Sequence, residues 1–321
     1  MEISKTVLAA GAAAFALDPA ALRVLGAGSG ADGVTCMGER DGVGVVLKFL
    51  PSTAERLPWL VERNAFACYL REHGVAVPRR LPSVQGELVE VVEEAGATFA
   101  VTMTERAAGH PPNLYKPAEW NEHFFRRWGA LVGQMHALTK DYTGGASLPD
   151  WQDEHASFVQ MCADLPVRER WIALGETLRA LPQDRDCFGL IHNDPHAWNF
   201  LVSGDAVTVL DFDVCNHHWF MTDIGIAMFQ PLWALQSQPR FRPQLRDIFR
   251  RMYDGFMIGY SAHNTLSEEW LARLPLFMRY RRMLFYIVLA QEAQPDQWTR
   301  QQIPVLRRAI LSDAPLPGFA D

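Results

Sequence analysis

A chain of 321 residues with a formal net charge of −7 can bury one large core or two smaller ones, and it lacks the overall basic balance of a sequence-independent nucleic-acid binder. Its 49% hydrophobic and 21% charged residues exclude a disordered chain and fit a globular one. Five scattered cysteines without a C-x-x-C pair point to reduced, mostly buried thiols, and no run approaches the roughly 18 apolar residues of a membrane span. The expectation is a cytoplasmic protein with no nucleic-acid or membrane partner.

Val7 to Leu17 is apolar and Ala-rich. It reads as a helix on the first core, ended by Asp18-Pro19, in preference to a signal segment. Leu22 to Gly26 reads as a short strand entering Gly26-Ala-Gly28-Ser29-Gly30-Ala-Asp-Gly33, and a second strand starts at Val34. Asp41-Gly42 is a hairpin signal, so Val43 to Leu50 is a third strand with Lys48 near its end. A helix follows, with Pro58 in its first turn and Gly74 as its stop. Gly86 to Val92 and Phe99 to Thr104 read as strands joined by a turn at Glu93 to Gly96.

Composition then shifts at the loop Ala108 to Pro112. Trp120 to Thr139 carries Phe124, Trp128, Leu131, Val132, Met135 and Leu138 at helical spacing. Further helices are expected at 151–163, 167–181, 219–236, 241–262, 267–292 and 299–311. Gly189 to Ser203 and Ala206 to Val214 read as strand-and-loop elements between them. The large aromatic and Met residues of these helices read as core.

The chemistry concentrates in Leu190-Ile-His192-Asn193-Asp194-Pro-His-Ala-Trp198-Asn199-Phe-Leu-Val202 and Val207-Thr-Val-Leu-Asp211-Phe-Asp213. Three carboxylates there border apolar segments expected to be buried, where a charge needs a partner. A divalent cation would serve Asp194, Asp211 and Asp213 together. Asp194 and Asn199 stand five apart, the spacing within the kinase loop H-R-D-x-x-x-x-N, and Asp211 follows a strand.

With these motifs the chain resembles the aminoglycoside phosphotransferase and choline kinase superfamily, whose loop H-G-D-x-x-x-x-N precedes an I-D-F-[DE] strand. The layout holds from Ile191 to Phe229, including Met221-Thr-Asp223-Ile-Gly-Ile-Ala. Gly133-Gln-Met-His136-Ala-Leu-Thr and Leu276-Phe-Met-Arg-Tyr-Arg281 resemble most the stress-response kinase and type II homoserine-kinase-like branch. The resemblance implies an α+β, bilobal protein-kinase-like fold. Residues 1–105 would form a small antiparallel-sheet N-lobe with one inserted helix, and residues 106–321 a larger, mainly helical C-lobe. It implies an ATP- and Mg2+-dependent kinase. Asp194 would accept the acceptor's hydroxyl proton or orient that hydroxyl. Asn199 and Asp211 would hold Mg2+, His192 would support the loop, and Asp223 would brace it. Asp213 would either bind the metal or brace its ligands.

The first lobe would supply the ATP contacts. Lys48 alone reads as a lysine snorkelling at a strand end; beside the motif it reads as the contact to the α- and β-phosphates. Glu62, on the following helix with Ala65, Phe66 and Tyr69, would pair with Lys48 in preference to Glu55. Gly28, Gly30 and Gly33 match G-x-G-x-x-G, but they lead into a strand, which suits a phosphate-covering loop over a dinucleotide fold. A plain hairpin is the alternative. Ser29 is a further phosphate contact, and the backbone at Thr102 to Arg106 would meet the adenine edge.

Asn193 replaces the usual glycine, Pro195 follows the catalytic aspartate, and Trp198 stands where small residues are common, either shaping the acceptor pocket or filling the core. A zinc site on His192 and His196 is disfavoured by Pro195, which breaks the helix it needs. The acceptor is expected to be a small hydroxyl compound: an amino alcohol, a sugar or an aminoglycoside-like antibiotic. A protein Ser/Thr acceptor and a silent nucleotide-binding regulator are the alternatives. Asp150, Trp151, Asp153 and Glu154 would line a cationic acceptor or form a solvated helix start. Arg279, Arg281 and Arg282 would face an anionic acceptor or lie on a solvated or salt-bridged face.

Overall fold

The computed structural model describes residues 3–25 and 33–319. The chain forms two compact units. One runs to Gly109 and includes Thr143–Leu148; the other holds His110–Tyr142 and the chain from Pro149 onward.

The first unit contains α1 (Lys5–Ala14), β1 (Arg23–Leu25), β2 (Val34–Arg40), β3 (Val43–Ser52), α2 (Leu57–Glu72), β4 (Glu90–Glu94) and β5 (Ala97–Glu105). Its sheet is antiparallel in the order β1-β2-β3-β5-β4. Two-residue turns set the register. Asp41 and Gly42 take φ of 53° and 77°, and Ala95 and Gly96 take 50° and 82°, the paired positive values of a primed hairpin turn. Helix α1 starts where the Ser4 hydroxyl accepts from the Val7 N–H at 3.0 Å, and it buries Val7, Ala12 and Phe15 with Phe49 and Val101 of the sheet. It lies so close there that a methyl group on Gly11 would overlap the Phe49 ring. One strand starts later than its apolar pattern suggests. The Ser83 hydroxyl accepts from the N–H groups of Gln85 and Glu87, and Gly86 takes φ of 90°, so these residues form a turn and β4 begins at Glu90.

The second unit contains α3 (Glu122–Thr139), α4 (Trp151–Met161), α5 (Leu165–Arg179), β6 (Phe188–Ile191), β7 (Phe200–Ser203), β8 (Ala206–Val209), β9 (Asn216–Trp219), α6 (Phe220–Gln236), α7 (Leu245–Ser261), α8 (Glu268–Leu271), α9 (Leu274–Ala290) and α10 (Gln297–Leu311). The stretch expected as one helix over 267–292 is two, because Pro275 opens a new helix in the first turn of α9. Helices α3 and α7 pack through glycines on both faces. A methyl group on Gly129 would strike the Phe256 carbonyl, and one on Gly259 the Arg126 carbonyl. This contact aligns His136 of α3 with Tyr260 of α7 in the core, both fully buried. Trp128, Trp151, Trp171 and Trp219 are also fully buried, so these large aromatics serve packing.

Candidate active site

Strand β6 pairs antiparallel with β9, Ile191 opposite Asn216, and delivers the chain into His192 from a buried pair, Leu190 and Ile191. The next residue, Asn193, takes φ of 66°. Asn tolerates this left-handed region better than other side chains, which is how it stands in for glycine there. Asp223, in the first turn of α6 and fully buried, holds the bend. Its Oδ1 accepts from the Asn193 N–H at 2.8 Å, and its Oδ2 accepts from the His192 N–H at 3.1 Å and from His136 Nε2 at 3.0 Å. The far side of His136 fixes its tautomer. Burial pushes the Tyr260 hydroxyl up, so it stays protonated. It receives the Asn264 amide N–H at 2.8 Å and gives its own proton to His136 Nδ1 at 3.0 Å. The His136 proton therefore lies on Nε2, toward Asp223. Three donors meet a carboxylate that would otherwise be a costly buried charge.

His192 staples the loop to the strand beyond. Its Nδ1 accepts from the Asp194 N–H at 3.3 Å, so its Nε2 carries the proton and donates to the Leu210 carbonyl at 2.7 Å. The Leu210 N–H donates in turn to the Asn199 carbonyl at 2.8 Å. Both backbone groups of the residue before Asp211 are thus tied to the loop that holds Asp194 and Asn199. Asp211 itself takes φ of 61°. It is exposed and Asp213 half-buried, against the expectation that both lie buried. The reason is that β8 ends at Val209 and the chain turns, so Phe212 alone points inward, 4.7 Å from the His192 ring.

Asp194 is 26% exposed and surrounded by donors. Its Oδ1 accepts from Arg281 Nη2 at 2.7 Å; its Oδ2 lies 3.3 Å from both His196 Nε2 and Asn199 Nδ2. The Asn199 amide also donates to the Asp194 carbonyl at 2.9 Å. Desolvation is the largest influence on this carboxyl and pushes it up, but His196 and Arg281 outweigh it and hold it well below the usual carboxylate range. Trp198 is 39% exposed, and its ring meets His196 edge-on at 5.6 Å; it is a surface side chain, not core filling.

The remaining expected residues lie in the first unit. Lys48 is half-buried on β3, opposite Thr35 and Thr102. Gly33 passes so close to the Phe49 carbonyl that a Cβ would collide with it. Glu62 of α2 is half-buried, with its carboxylate 3.4 Å from the Ser147 N–H. Gly28, Ser29 and Gly30 lie outside the described residues.

Two groups enter the site from far along the chain. Glu154 of α4 accepts from the Asn193 amide at 2.5 Å, the Asn216 amide at 3.1 Å and the Tyr280 hydroxyl at 2.5 Å, which ties the bend to α4, α9 and β9. Its neighbours Asp150 and Asp153 close a capping box on α4, and Trp151 is core. Arg281 is the other. The signal for it was a pair of guanidinium groups, Arg281 and Arg282, in an apolar helix, where buried cations need partners. Arg282 finds the Ala314 carbonyl at 2.8 Å.

Residues 22–261 match the model of the phosphotransferase enzyme family. The chain belongs to that family. This phosphotransferase is 28% identical, over 294 residues, to the amicoumacin kinase of Bacillus subtilis (strain 168), covering 88% of this chain and 85% of that one. The solved structure of amicoumacin kinase hAmiN in complex with AMP-PNP, Ca2+ and Ami is similar at a TM-score of 0.86 and 25% identity, covering 99% of this chain and 96% of that one. The microcompartment-associated aminopropanol kinase matches with a TM-score of 0.76 and 20% identity, covering 99% of each chain. The fold of the phosphotransferase is accordingly α+β and protein-kinase-like, and the protein is an enzyme of the kinase type. Among its described residues, no helix is long and apolar enough to cross a membrane.

Proposed function

We propose that this phosphotransferase moves the γ-phosphoryl group of ATP, in a Mg2+-dependent reaction, onto a hydroxyl of a small molecule of the amino-alcohol, sugar or aminoglycoside-like class. The observation that carries the reading is the anionic Asp194, fixed beside Asn199 in a loop that Asp223 anchors by two backbone N–H groups. Its relatives named for amicoumacin and aminopropanol support a small acceptor over a protein.

Asp194 accepts the acceptor's O–H in a hydrogen bond and sets its oxygen in line with the phosphoryl group. A carboxylate held so firmly anionic is a weak base, so its contribution is mainly alignment, which suits a loose transition state. The donors present fit a hard cation. The Asn199 NH2 faces Asp194, which leaves its carbonyl oxygen for a metal, and the Leu210 bond keeps the Asp211 segment alongside. When bound there, Mg2+ neutralises charge on the phosphate oxygens. Lys48, with Glu62 as its partner, takes the α- and β-phosphates, and Gly28, Ser29, Gly30 and Gly33 are the further nucleotide contacts of this reading. His192 and Asp213 keep the loop and the metal ligands in register.

The test is transfer of labelled γ-phosphate from ATP to a panel: aminopropanol, ethanolamine, choline, homoserine, amicoumacin, aminoglycosides, sugars and a generic protein. Label is expected in one small compound. Asp194→Ala should lower that turnover by about two to four decades, with nucleotide affinity retained. Label only in protein, or full turnover in the variant, would overturn the reading.

A further inference from the structure

Arg281 is enclosed by α9 and its neighbours, with only 8% of its surface exposed. Burying a guanidinium is costly unless its donors are matched. Its Nε donates to the Gln230 Oε1 of α6 at 3.2 Å, and its Nη2 donates to Asp194 Oδ1 at 2.7 Å. A guanidinium carries five N–H donors in a rigid fork. Among the described residues Nη1 donates to none, and it is not one of the fully buried groups left without a partner, so this arm of the fork is not sealed in the core.

The neighbouring arginine shows what a purely structural role looks like here. Arg282 is as deeply buried and keeps an unpartnered Nε, but its Nη1 ends on the Ala314 backbone carbonyl, far along the chain from the loop, so what sets Arg281 apart is its partner. Arg281 instead ends on the carboxylate proposed to align the acceptor. That carboxylate does not need it for anchoring, since Oδ2 already has His196 and Asn199. If Asp194 aligns the acceptor, a fixed cation one hydrogen bond away would stand near the phosphoryl oxygens on which charge gathers during transfer.

Resting on the reading of Asp194 above, we propose that Arg281 is a catalytic arginine built into the chain: it holds Asp194 through Nη2 and donates from the rest of its fork to the phosphoryl group in flight. In the step itself, the acceptor oxygen forms a bond to the γ-phosphorus. The bond from that phosphorus to the β,γ-bridging oxygen breaks, and its electron pair leaves on ADP. The hydroxyl proton, hydrogen-bonded to Asp194 during the attack, leaves to solvent once the new P–O bond has formed. Arg281 keeps its protons throughout. Gln230 gives the fork a second fixed point beside Asp194, so the guanidinium does not reorganise when charge arrives.

The experiment uses a mimic of the transferring group and needs no acceptor. Calorimetry measures the affinity of the full chain for ADP with Mg2+, alone and with aluminium fluoride. In the wild type, fluoride should tighten binding. In Arg281→Met, affinity for ADP alone should stay within about two-fold, while the gain from fluoride falls by on the order of a hundred-fold, the scale of one lost transition-state donor. Arg281→Lys keeps the charge without the fork and should lose at least about ten-fold of the gain, which covers the case in which the Met variant does not fold. An undiminished gain in both arginine variants would overturn the proposal and leave Arg281 as a structural partner of Asp194. The reading of Asp194 stands or falls separately, on label transfer.

Discussion

At the scale of single residues, the site is governed by buried polar groups that are fully matched and a few that are not. Asp223 is matched on both oxygens. Asp223→Asn keeps the volume but sets an NH2 against the N–H of Asn193 or of His192 and removes the charge that His136 faces. The expected cost is about 3 kcal/mol of stability, together with most of the turnover, read by urea unfolding and label transfer. Stability equal to wild type would show that the loop does not depend on this anchor. His218 is the opposite case. It is fully buried beside Trp151, Trp219 and Tyr280, and its Nδ1 accepts from the Trp219 N–H at 2.9 Å and the Thr222 hydroxyl at 2.6 Å. The proton on Nε2 finds no acceptor among the described residues. Burial drives its pKa down to about 3. The unfolded chain therefore binds a proton that the folded chain refuses between about pH 6.5 and 3. Stability that this group contributes is fully present above pH 6.5 and drains by about 1.4 kcal/mol per pH unit below it. Urea midpoints across this range should fall less steeply for His218→Gln, and parallel curves would refute the assignment.

At the scale of elements, the α3–α7 contact positions the deepest part of the anchor. Gly129 and Gly133 of α3 sit against the backbone of Phe256 and Tyr260 on α7, and Gly259 of α7 sits against that of Arg126 on α3. The close approach they permit is what lets His136 meet Tyr260 at 3.0 Å. Helix propensity alone says that Gly→Ala in a helix gains up to about 1 kcal/mol. Here the added methyl must displace a backbone carbonyl of the partner helix, so overpacking decides the sign. Gly259→Ala should destabilise by about 3 kcal/mol, and thermal unfolding with label transfer should show turnover falling with it. A higher melting temperature would mean that the helices have room. Other elements follow from local chemistry, such as the two primed turns of the sheet, and these were legible in Asp41-Gly42 and Ala95-Gly96. The break at Pro275 and the turn at Ser83 to Glu87 were less legible, because hydrophobic periodicity continues across both.

At the scale of the whole molecule, what could be read in advance depended on sequence distance. His192, Asp194, Asn199, Asp211 and Asp223 fall within one short stretch, where spacing alone suggests their grouping. Their partners Glu154, His136, Tyr260 and Arg281 arrive from other helices, and no local pattern ties them to the loop. Arg281 could be recognised only as a buried cation wanting a partner, and Asp211 was misread as buried because Phe212 beside it is. The division into two units, each with its own core, leads to a last prediction. The first core centres on Phe49 with α1 against it; the second holds the α3–α7 contact. Chains with separate cores commonly unfold in more than one step. Gly11→Leu should drive a side chain into Phe49 and lower one thermal transition. Gly259→Ala should lower the other and leave the first in place, because sites that share no neighbours act independently. Calorimetry of the two variants and their combination tests this directly. Two separately shifted transitions, additive in the double variant, would establish that the two units are independently stable scaffolds; a single transition moved by either change would mean that the chain melts as one cooperative body.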